Sequence, residues 1–487
     1  MNPTIYEVNT WVWLGEVGAR RGGQATLADV PAAEWDALAA LAVDAVWLMG
    51  VWERSPTGRS VALADSGLVA DFRRALPDLS DDDVVGSPFC VRRYVCDTRL
   101  GGPDGLAAAR RELARRGLRL VLDFVPNHVA PDHPWIEEHP EYFVQGTSAD
   151  LRADPAAFLA VGERVLARGK DPNFPAWPDV VQLNAFNPAQ RAAALDTVLG
   201  LAEQCDGIRC DMPMLLMNDV FERTWGARAG SPPEADYWPG LISLVKAAHP
   251  GLIFVAEAYW GLGAELLRQG FDLSYDKDLY DLLANADAAA VRRHLEADPA
   301  DQSRLVRFVE NHDEPRAAAA FPGEKERAAA VAATTVPGAK LIHDGQMEGR
   351  RTRVPVFLAR RPAEPVDGSL RDFYERLLSA LRQAALREGE WRLAEAGGWP
   401  DNQSCRNLVG WMWRAGDARA VVVVNLSPWR AQGRVPLGWL DPGERQWQLR
   451  DLLARDVYER DGRGLADPGL FVDLGPWGVH LLDLVAG

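Results

Sequence analysis

Short apolar runs recur along the chain, and a longer amphipathic segment rich in Ala, Leu and Arg follows several of them. The runs have the length of buried strands, whereas segments such as 104–116, 189–203 and 288–295 have helical periodicity. Alternating strands and helices indicate a parallel sheet covered by helices. Eight such units would close a (β/α)₈ barrel. The predicted strands lie at residues 5–8, 45–48, 118–124, 207–210, 253–256, 271–274, 307–309 and 340–342.

Two stretches break this alternation and predict further domains. Between the third and fourth strands, the region 129–180 is irregular and rich in Pro, His and aromatic residues. After about residue 388, dense strand-like runs predict a terminal all-β module. We therefore expect a catalytic barrel, an inserted domain and a C-terminal β-sandwich. Their expected bounds are 1–128 with 181–387, 129–180, and 388–487, in that order.

Composition narrows the class of protein. The chain has 487 residues, more than one compact core usually holds, and its net charge of −16 argues against nucleic acid or an anionic membrane as partner. The longest apolar stretch, 41–51, is too short to span a membrane, and the first residues lack the pattern of a secretory signal.

Five sparse cysteines suit reduced thiols, so we expect a cytoplasmic protein. The 18 tryptophans suit sugar stacking, although most should pack the core.

Polar residues follow four of the predicted strands at the points where the strands end. The segments read DFVPNH at 123–128, GIRCD at 207–211, VAEA at 255–258 and FVENHD at 308–313. Any one of these residues could be a helix cap or a salt-bridge partner. Four such endings in order are poorly explained by packing, and barrel enzymes place their catalytic groups at this end.

The residue types suit cleavage of a glycosidic bond. That reaction needs a carboxylic acid to protonate the leaving oxygen and a carboxylate facing the anomeric carbon, about 5–5.5 Å apart in a retaining enzyme. We predict Asp211 as the nucleophile and Glu257 as the general acid/base, with apolar neighbours such as Tyr259 and Trp260 raising the pKa of Glu257. Arg209 lies two residues before Asp211 on the same strand, so both point to one side and Arg209 would keep Asp211 ionised.

Three more residues would hold the sugar ring. Asp313 can bind adjacent hydroxyls and stabilise positive charge developing on the ring, and His128 and His312 can donate hydrogen bonds that tighten in the transition state.

The four segments resemble the conserved regions of the α-amylase family, in the same order and spacing. The likeness extends to 337–349, similar to the family's last barrel strand and loop, and to 421–428, similar to its C-terminal β-domain. It implies a (β/α)₈ TIM barrel, a small domain inserted after strand 3, a C-terminal all-β sandwich and a retaining mechanism. The roles inferred above are those of the matching family positions, namely Asp211, Glu257, Asp313, Arg209, His128 and His312.

The chain departs from the family pattern in the sugar subsites. Phe89 stands where the family usually has a stacking Tyr, so it supplies the ring without the hydroxyl, and Arg93 replaces an Asp. Met214 and Leu215 replace the Lys-His pair that contacts the acceptor sugar in many α-amylases, which weakens the case for an endo-acting starch amylase. Trp52 and Trp260, beside strand ends, are candidate sugar platforms.

Metal binding is the other departure. Asn127 matches a calcium-ligand position and Asp179 matches another less closely, but two oxygen ligands fall well short of a calcium shell. No confident metal site and no required cofactor are expected, although calcium could bind there. His133 and His139 of the inserted region are expected to pack and cap.

These observations predict a retaining α-glycosidase of α-linked glucosides, with short α-1,4-glucans as the expected substrate. A transglycosidase or a disaccharide-converting enzyme of the same family is the alternative. A non-catalytic sugar-binding or scaffold relative is the alternative of another class, but the three carboxylates and their supporting residues are all present. An unrelated metal-dependent barrel enzyme would need a ligand cluster that the sequence does not show.

Overall fold

Eight parallel strands close into a barrel in the computed structural model, which describes residues 2–487. Around the barrel each strand pairs with its neighbours in chain order, and the last strand pairs with the first. The predicted (β/α)₈ barrel is therefore confirmed. The barrel strands are β1 (Thr4–Asn9), β2 (Ala45–Met49), β3 (Arg119–Phe124), β4 (Gly207–Cys210), β5 (Ile253–Ala256), β6 (Leu273–Tyr275), β7 (Leu305–Arg307) and β8 (Ala339–His343).

The seventh strand lies two residues earlier than the sequence indicates. Phe308 and Val309 are apolar and buried, but they follow the last ladder pair, Arg307 with Lys340, and belong to the loop after the strand. Buried loop residues and buried strand residues have the same apolar pattern, so the sequence places the strand too late.

Helices cover the outside of the barrel, and N-cap side chains stabilise the first turn of several of them. Asn9, Asn187 and Asp287 each accept a hydrogen bond from a backbone N–H in the first turn of the helix that follows. The helices up to residue 388, outside the inserted region, lie at Thr10–Arg21, Ala32–Ala40, Pro56–Ala64, Ser66–Ala75, Gly102–Arg115, Pro188–Ala202, Asn218–Trp225, Tyr237–Ala248, Gly263–Arg268, Lys277–Asn285, Ala288–Leu295, Pro299–Gln302, Ala317–Ala320, Glu324–Thr334, Gly368–Leu381 and Ala384–Glu388.

The region inserted after β3 has its own small core. Strand His128–Val129 pairs with Val181–Gln182, and Phe158–Val161 pairs with Arg164–Ala167. Short helices at Trp135–Glu138 and Ser148–Ala153 complete it. Its buried apolar cluster is Val129, Ile136, Tyr142, Phe143, Leu166, Val181 and Leu183.

A second excursion follows β2 and was not predicted. Strand Trp52–Arg54 pairs with Val91–Cys96, with the helices Pro56–Ala64 and Ser66–Ala75 between them. The loop after β8 packs against this excursion through Leu358.

The C-terminal part is a six-stranded antiparallel sheet packed on a two-stranded one, as the sequence predicted for an all-β module. Side chains of the strand 418–425 alternate between two hydrophobic cores. Val422 and Val424 face the barrel, whereas Val421 and Val423 face the two-stranded sheet. The exact domain bounds stay predictions. The strands are β9 (Glu390–Ala394), β10 (Leu408–Ala415), β11 (Ala418–Asn425), β12 (Ala431–Val435), β13 (Gln446–Asp451), β14 (Val457–Asp461), β15 (Leu470–Leu474) and β16 (Val479–Ala486).

The five cysteines are buried, and none forms a disulfide within the described residues. Between residues 2 and 487, no helix combines the length and apolar character needed to cross a lipid bilayer.

Candidate active site

Arg209 lies at the centre of the carboxylates at the carboxyl end of the barrel. Its side chain is 1% exposed, because it points from β4 into the barrel. Nη1 donates to Asp211 Oδ1 at 2.9 Å, and Nη2 lies 2.8 Å from Glu257 Oε2. A third carboxylate, Asp123 at the end of β3, lies 3.7 Å from Nη1. One guanidinium therefore contacts both carboxylates predicted to perform the reaction, which brings the ends of β4 and β5 together.

Glu257 is buried and suited to carry a proton. Burial raises its pKa to about 8, and the negative charges of Asp211 and Asp313 add to this, while Arg209 opposes it. The backbone N–H of Met212 donates to Oε2 at 2.8 Å, and the Tyr259 hydroxyl donates to Oε1 at 3.1 Å. The sequence predicted Tyr259 as an apolar neighbour of this carboxyl, but it contributes a hydrogen bond.

Burial and the charge of Arg209 also act in opposite directions on the pKa of Asp211. Burial raises the pKa of Asp211 above its ordinary value, and the hydrogen bond and charge of Arg209 limit that rise. The nearest cation therefore favours the ionised form of Asp211, as expected for a nucleophile.

Asp313 and His312 form an ion pair beside them. His312 Nε2 lies 2.9 Å from Asp313 Oδ2, and the Asp313 side chain is 43% exposed toward the open end of the barrel. Partial burial would raise the pKa of Asp313, but His312 and Arg209 hold it well below its usual range. Asp313 is thus the ionised and accessible member of the three carboxylates.

The sequence analysis missed Glu7, which completes this group from β1. Its Oε1 lies 2.5 Å from His312 Nδ1, and the side chain is fully buried. The available signal was a glutamate in the middle of an otherwise apolar strand, TIYEVN. Such a residue needs a partner in the core.

Aromatic rings surround Arg209 on several sides. Its guanidinium carbon lies 5.1 Å from the Trp47 ring centroid, 5.3 Å from that of Phe89 and 5.9 Å from that of Tyr275. Trp47 and Tyr275 were also missed, because a buried aromatic residue in a strand looks like ordinary core. Phe89 is only partly buried and lies 5.4 Å from the His312 ring, inclined by 33°. The structure therefore places the predicted stacking ring beside Arg209 and His312.

His128 contacts the backbone of Phe89. Burial lowers the pKa of His128 to about 4, and a hydrogen bond with the Phe89 backbone opposes this, so the ring is neutral. The ring of Trp177, from the inserted region, packs against it at 5.1 Å. His128 is thus held beside Phe89, and its predicted contact with the sugar stays a prediction.

The two tryptophans predicted to stack on sugar, Trp52 and Trp260, differ in how far they are exposed. Trp52 is 1% exposed and donates Nε1–H to the Asp123 carbonyl at 2.7 Å, so the prediction that it stacks on sugar is wrong. It lies in the unpredicted excursion, which buries it against Tyr94. Trp260 is 40% exposed, with a left-handed φ of 58°, three residues after Glu257. It has a free face for a sugar, and its role stays a prediction.

Asn127 and Asp179, the two residues proposed for calcium, have different surroundings, and calcium binding stays a prediction. Asn127 Oδ1 accepts a hydrogen bond from Gln182 Nε2 at 2.8 Å, so a protein donor already uses that oxygen. Burial raises the pKa of Asp179 to about 6, and its Oδ2 is buried without a hydrogen-bond partner. No cluster of three or more His, Cys, Asp or Glu side chains suited to a metal occurs from residue 2 to residue 487. The proposed mechanism uses no metal ion.

The other departures from the family pattern are packing and surface features. Met214 and Leu215 are buried after β4, and Arg93 pairs with Glu53 on the surface. His133 accepts a hydrogen bond from the backbone N–H of Trp135, which fits the predicted capping role.

Comparisons with known proteins agree with this geometry. No family model matches the chain. It is similar to the α-amylase MalA of Haloarcula japonica, with 24% identity over 341 residues, which cover 65% of this chain and 41% of that protein. It is also similar to the α-1,4-glucan:maltose-1-phosphate maltosyltransferase of Rhodospirillum rubrum, with 27% identity over 243 residues, or 47% of this chain and 30% of that protein. The chain thus spans less than half the length of these relatives.

Among solved structures, the fold is similar to an α-amylase from Lactobacillus plantarum, with a TM-score of 0.68, 20% identity and 99% of each chain covered. At this identity the likeness concerns the fold. The order of the strand-end motifs, the closed barrel that brings them together and the similarity to these relatives all agree with the resemblance to the α-amylase family.

Proposed function

We propose that the chain is a retaining α-glycosidase that cleaves α-linked glucosides, with short α-1,4-glucans as substrate, through a covalent glycosyl-enzyme intermediate. The observation that carries this proposal is the position of Arg209, which contacts Asp211 through one nitrogen and Glu257 through the other. That arrangement places two buried carboxyl groups on the same side of the barrel opening. Burial raises the pKa of Glu257 to about 8, which suits the acid, and the hydrogen bond from Arg209 favours the ionised form of Asp211, which suits the nucleophile of the retaining reaction.

In the first step, the carboxylate of Asp211 attacks the anomeric carbon while Glu257 gives its proton to the glycosidic oxygen. The bond between that carbon and oxygen breaks, the leaving sugar departs as an alcohol, and an ester joins the remaining sugar to Asp211. In the second step, Glu257, now a carboxylate, takes a proton from water. The resulting hydroxide oxygen attacks the anomeric carbon and releases Asp211, so two inversions give net retention.

The surrounding residues bind the sugar in this proposal. Asp313, ionised and partly exposed, accepts hydrogen bonds from sugar hydroxyls and stabilises the positive charge that develops on the ring. Phe89 offers a ring face for stacking, with the His312 ring 5.4 Å from it and His128 hydrogen-bonded to its backbone.

The scaffold alternative is less well supported. A protein that only binds sugar has no need of a buried guanidinium joining two carboxylates, since burying these charges is costly. The complete set of carboxylates around Arg209 favours an enzyme.

Transfer to a sugar acceptor is the second candidate. Its support is the apolar pair Met214 and Leu215, which replaces the polar acceptor-side pair of many family members, together with the similarity to a maltosyltransferase. Whether water or a sugar resolves the ester depends on which of them reaches the anomeric carbon.

Anomer-resolved proton NMR of products from maltoheptaose tests the proposal. The expected result is that α-anomers appear first, and that Asp211→Asn removes the activity. Asp219→Asn, the same change at an exposed surface position eight residues later, is the matched control and should react as the unchanged protein does. Products longer than maltoheptaose would indicate transfer. β-Anomers first, or full activity of Asp211→Asn, would contradict the mechanism.

A further inference from the structure

Glu7 is a charged residue in the centre of the first barrel strand. All six residues of β1 are buried, and the Glu7 side chain has no exposed surface. Its strand neighbours in register are Trp47 on β2 and His343 on β8. A carboxylate in such a place is costly unless a cation compensates it.

That cation is His312. Glu7 Oε1 lies 2.5 Å from Nδ1 of the ring, and Asp313 Oδ2 lies 2.9 Å from Nε2. Each ring nitrogen therefore faces a carboxylate oxygen. A neutral imidazole has one N–H, so only the imidazolium can donate to both.

Two aromatic rings fix the orientation of this imidazolium. Trp47 meets the His312 ring nearly edge-on, with centroids 5.5 Å apart and planes at 78°, and Phe89 lies 5.4 Å away on another side. Nδ1 has a charge-assisted hydrogen bond to Glu7, Nε2 is in ion-pair contact with Asp313, and two aromatic rings pack beside the imidazolium, so rotation would break several contacts.

The electrostatics agree with this arrangement. Burial alone would lower the pKa of His312, but Asp313 and Glu7 raise it well above its ordinary value. Burial likewise opposes ionisation of Glu7, and the positive charges of His312 and its neighbours outweigh that effect. The charged or titratable groups that act on this pair are Asp313, Asp123, Glu257, Tyr275, Arg209 and His343.

We propose that Glu7 is a positioning residue of the active site, which keeps His312 an imidazolium so that its Nε2–H donates toward Asp313. Without the charge of Glu7, a neutral His312 that kept its proton on Nδ1 would turn a lone pair toward the Asp313 carboxylate. The two would repel, and Asp313 would lose the orientation it needs to bind sugar hydroxyls. The effect of Glu7 on turnover rests on the proposed function, whereas its effect on the proton of His312 does not.

The test compares three variants of the full chain. Glu7→Gln keeps the shape and an acceptor oxygen but removes the charge, and Glu7→Asp keeps the charge. Glu310→Gln is the matched control, because Glu310 is also fully buried and ion-paired with a histidine, with Oε1 3.0 Å from His343 Nδ1. The readouts are the ¹⁵N shifts of His312, assigned by comparison with His312→Gln, and the pH profile of kcat on maltoheptaose.

In the unchanged protein, Glu7→Asp and Glu310→Gln, His312 should stay protonated at pH 8. In Glu7→Gln it should titrate below pH 8, and the alkaline fall of kcat should move to lower pH by about one unit or more, since an unperturbed histidine titrates near 6.5. At pH 8 that shift corresponds to a roughly tenfold loss that is largely recovered at pH 6. A merely structural role would lower kcat equally at all pH values.

Protonated His312 at pH 8 in Glu7→Gln would overturn the proposal, as would the same loss of the proton in Glu310→Gln. If the unchanged protein cleaves no glucan but the shifts behave as stated, the proposed function fails and the role of Glu7 in holding the proton stands.

Discussion

Replacing Arg209 with lysine tests the central contact of the site. The guanidinium contacts Asp211 at 2.9 Å and Glu257 at 2.8 Å through different nitrogens. A lysine keeps the positive charge, but its single ammonium group lacks the planar fork that reaches both carboxylates in this geometry. Arg209→Lys should therefore lose one charge-assisted hydrogen bond while the site keeps its net charge.

The size of the effect follows from that loss. A hydrogen bond to a charged group contributes about 1.5–3 kcal/mol. Since about 1.4 kcal/mol corresponds to a tenfold change in rate, kcat on maltoheptaose should fall by roughly 10- to 100-fold. Because Arg209 also opposes the rise in the pKa of Glu257, the alkaline limb of the pH profile should move to higher pH.

The assay is steady-state kinetics across pH, with circular dichroism and thermal unfolding to check the fold. Arg419→Lys is the matched control. Arg419 is also buried and lies over an aromatic ring, Trp447 at 5.1 Å, but its Nε donates to the Leu440 carbonyl, far along the chain from the catalytic residues. The control should keep its kcat. If Arg209→Lys is as active as the unchanged protein, the bridging contact does not support catalysis and our reasoning is wrong.

Three further predictions follow from the site and the domain contact. The kcat/KM of the unchanged protein should fall as pH rises through about 8, because Glu257 must be protonated to act as an acid and burial raises its pKa to that value. A profile flat to pH 10 would refute this assignment. Phe89→Ala should raise KM about tenfold, corresponding to about 1.4 kcal/mol of lost stacking, whereas Phe89→Tyr should not; equal KM values in the two variants would contradict a stacking role. Trp413→Phe should lower the free energy of unfolding by about 1 kcal/mol, because Trp413 Nε1 donates to the Thr335 carbonyl at 2.8 Å across the contact between sheet and barrel. Thermal unfolding measures this loss, and an unchanged Tm would show that the hydrogen bond contributes nothing net.

Local sequence was sufficient to predict the barrel strands to within about two residues and to propose the candidate catalytic residues. Strands β4 and β5 begin and end at the predicted residues, because short buried strands are mostly apolar, with Arg209 as the charged exception in β4. The position of Asp211 two residues after Arg209 predicts that both face the same side, since side chains alternate along a strand. The repeated strand–helix order then leaves few arrangements other than a barrel.

Only the tertiary structure determined which residues distant in the chain contact one another. Glu7 and His312 are 305 positions apart and meet because β1 closes the barrel. The residues next to each of them in the sequence do not indicate this contact. The exposure of the two candidate tryptophans was likewise decided by tertiary structure: Trp52 is enclosed by the unpredicted excursion, whereas Trp260 is partly exposed. Sequence patterns specify which residues prefer to be buried or to end a strand, whereas charge pairing and exposure depend on neighbours that only folding brings together.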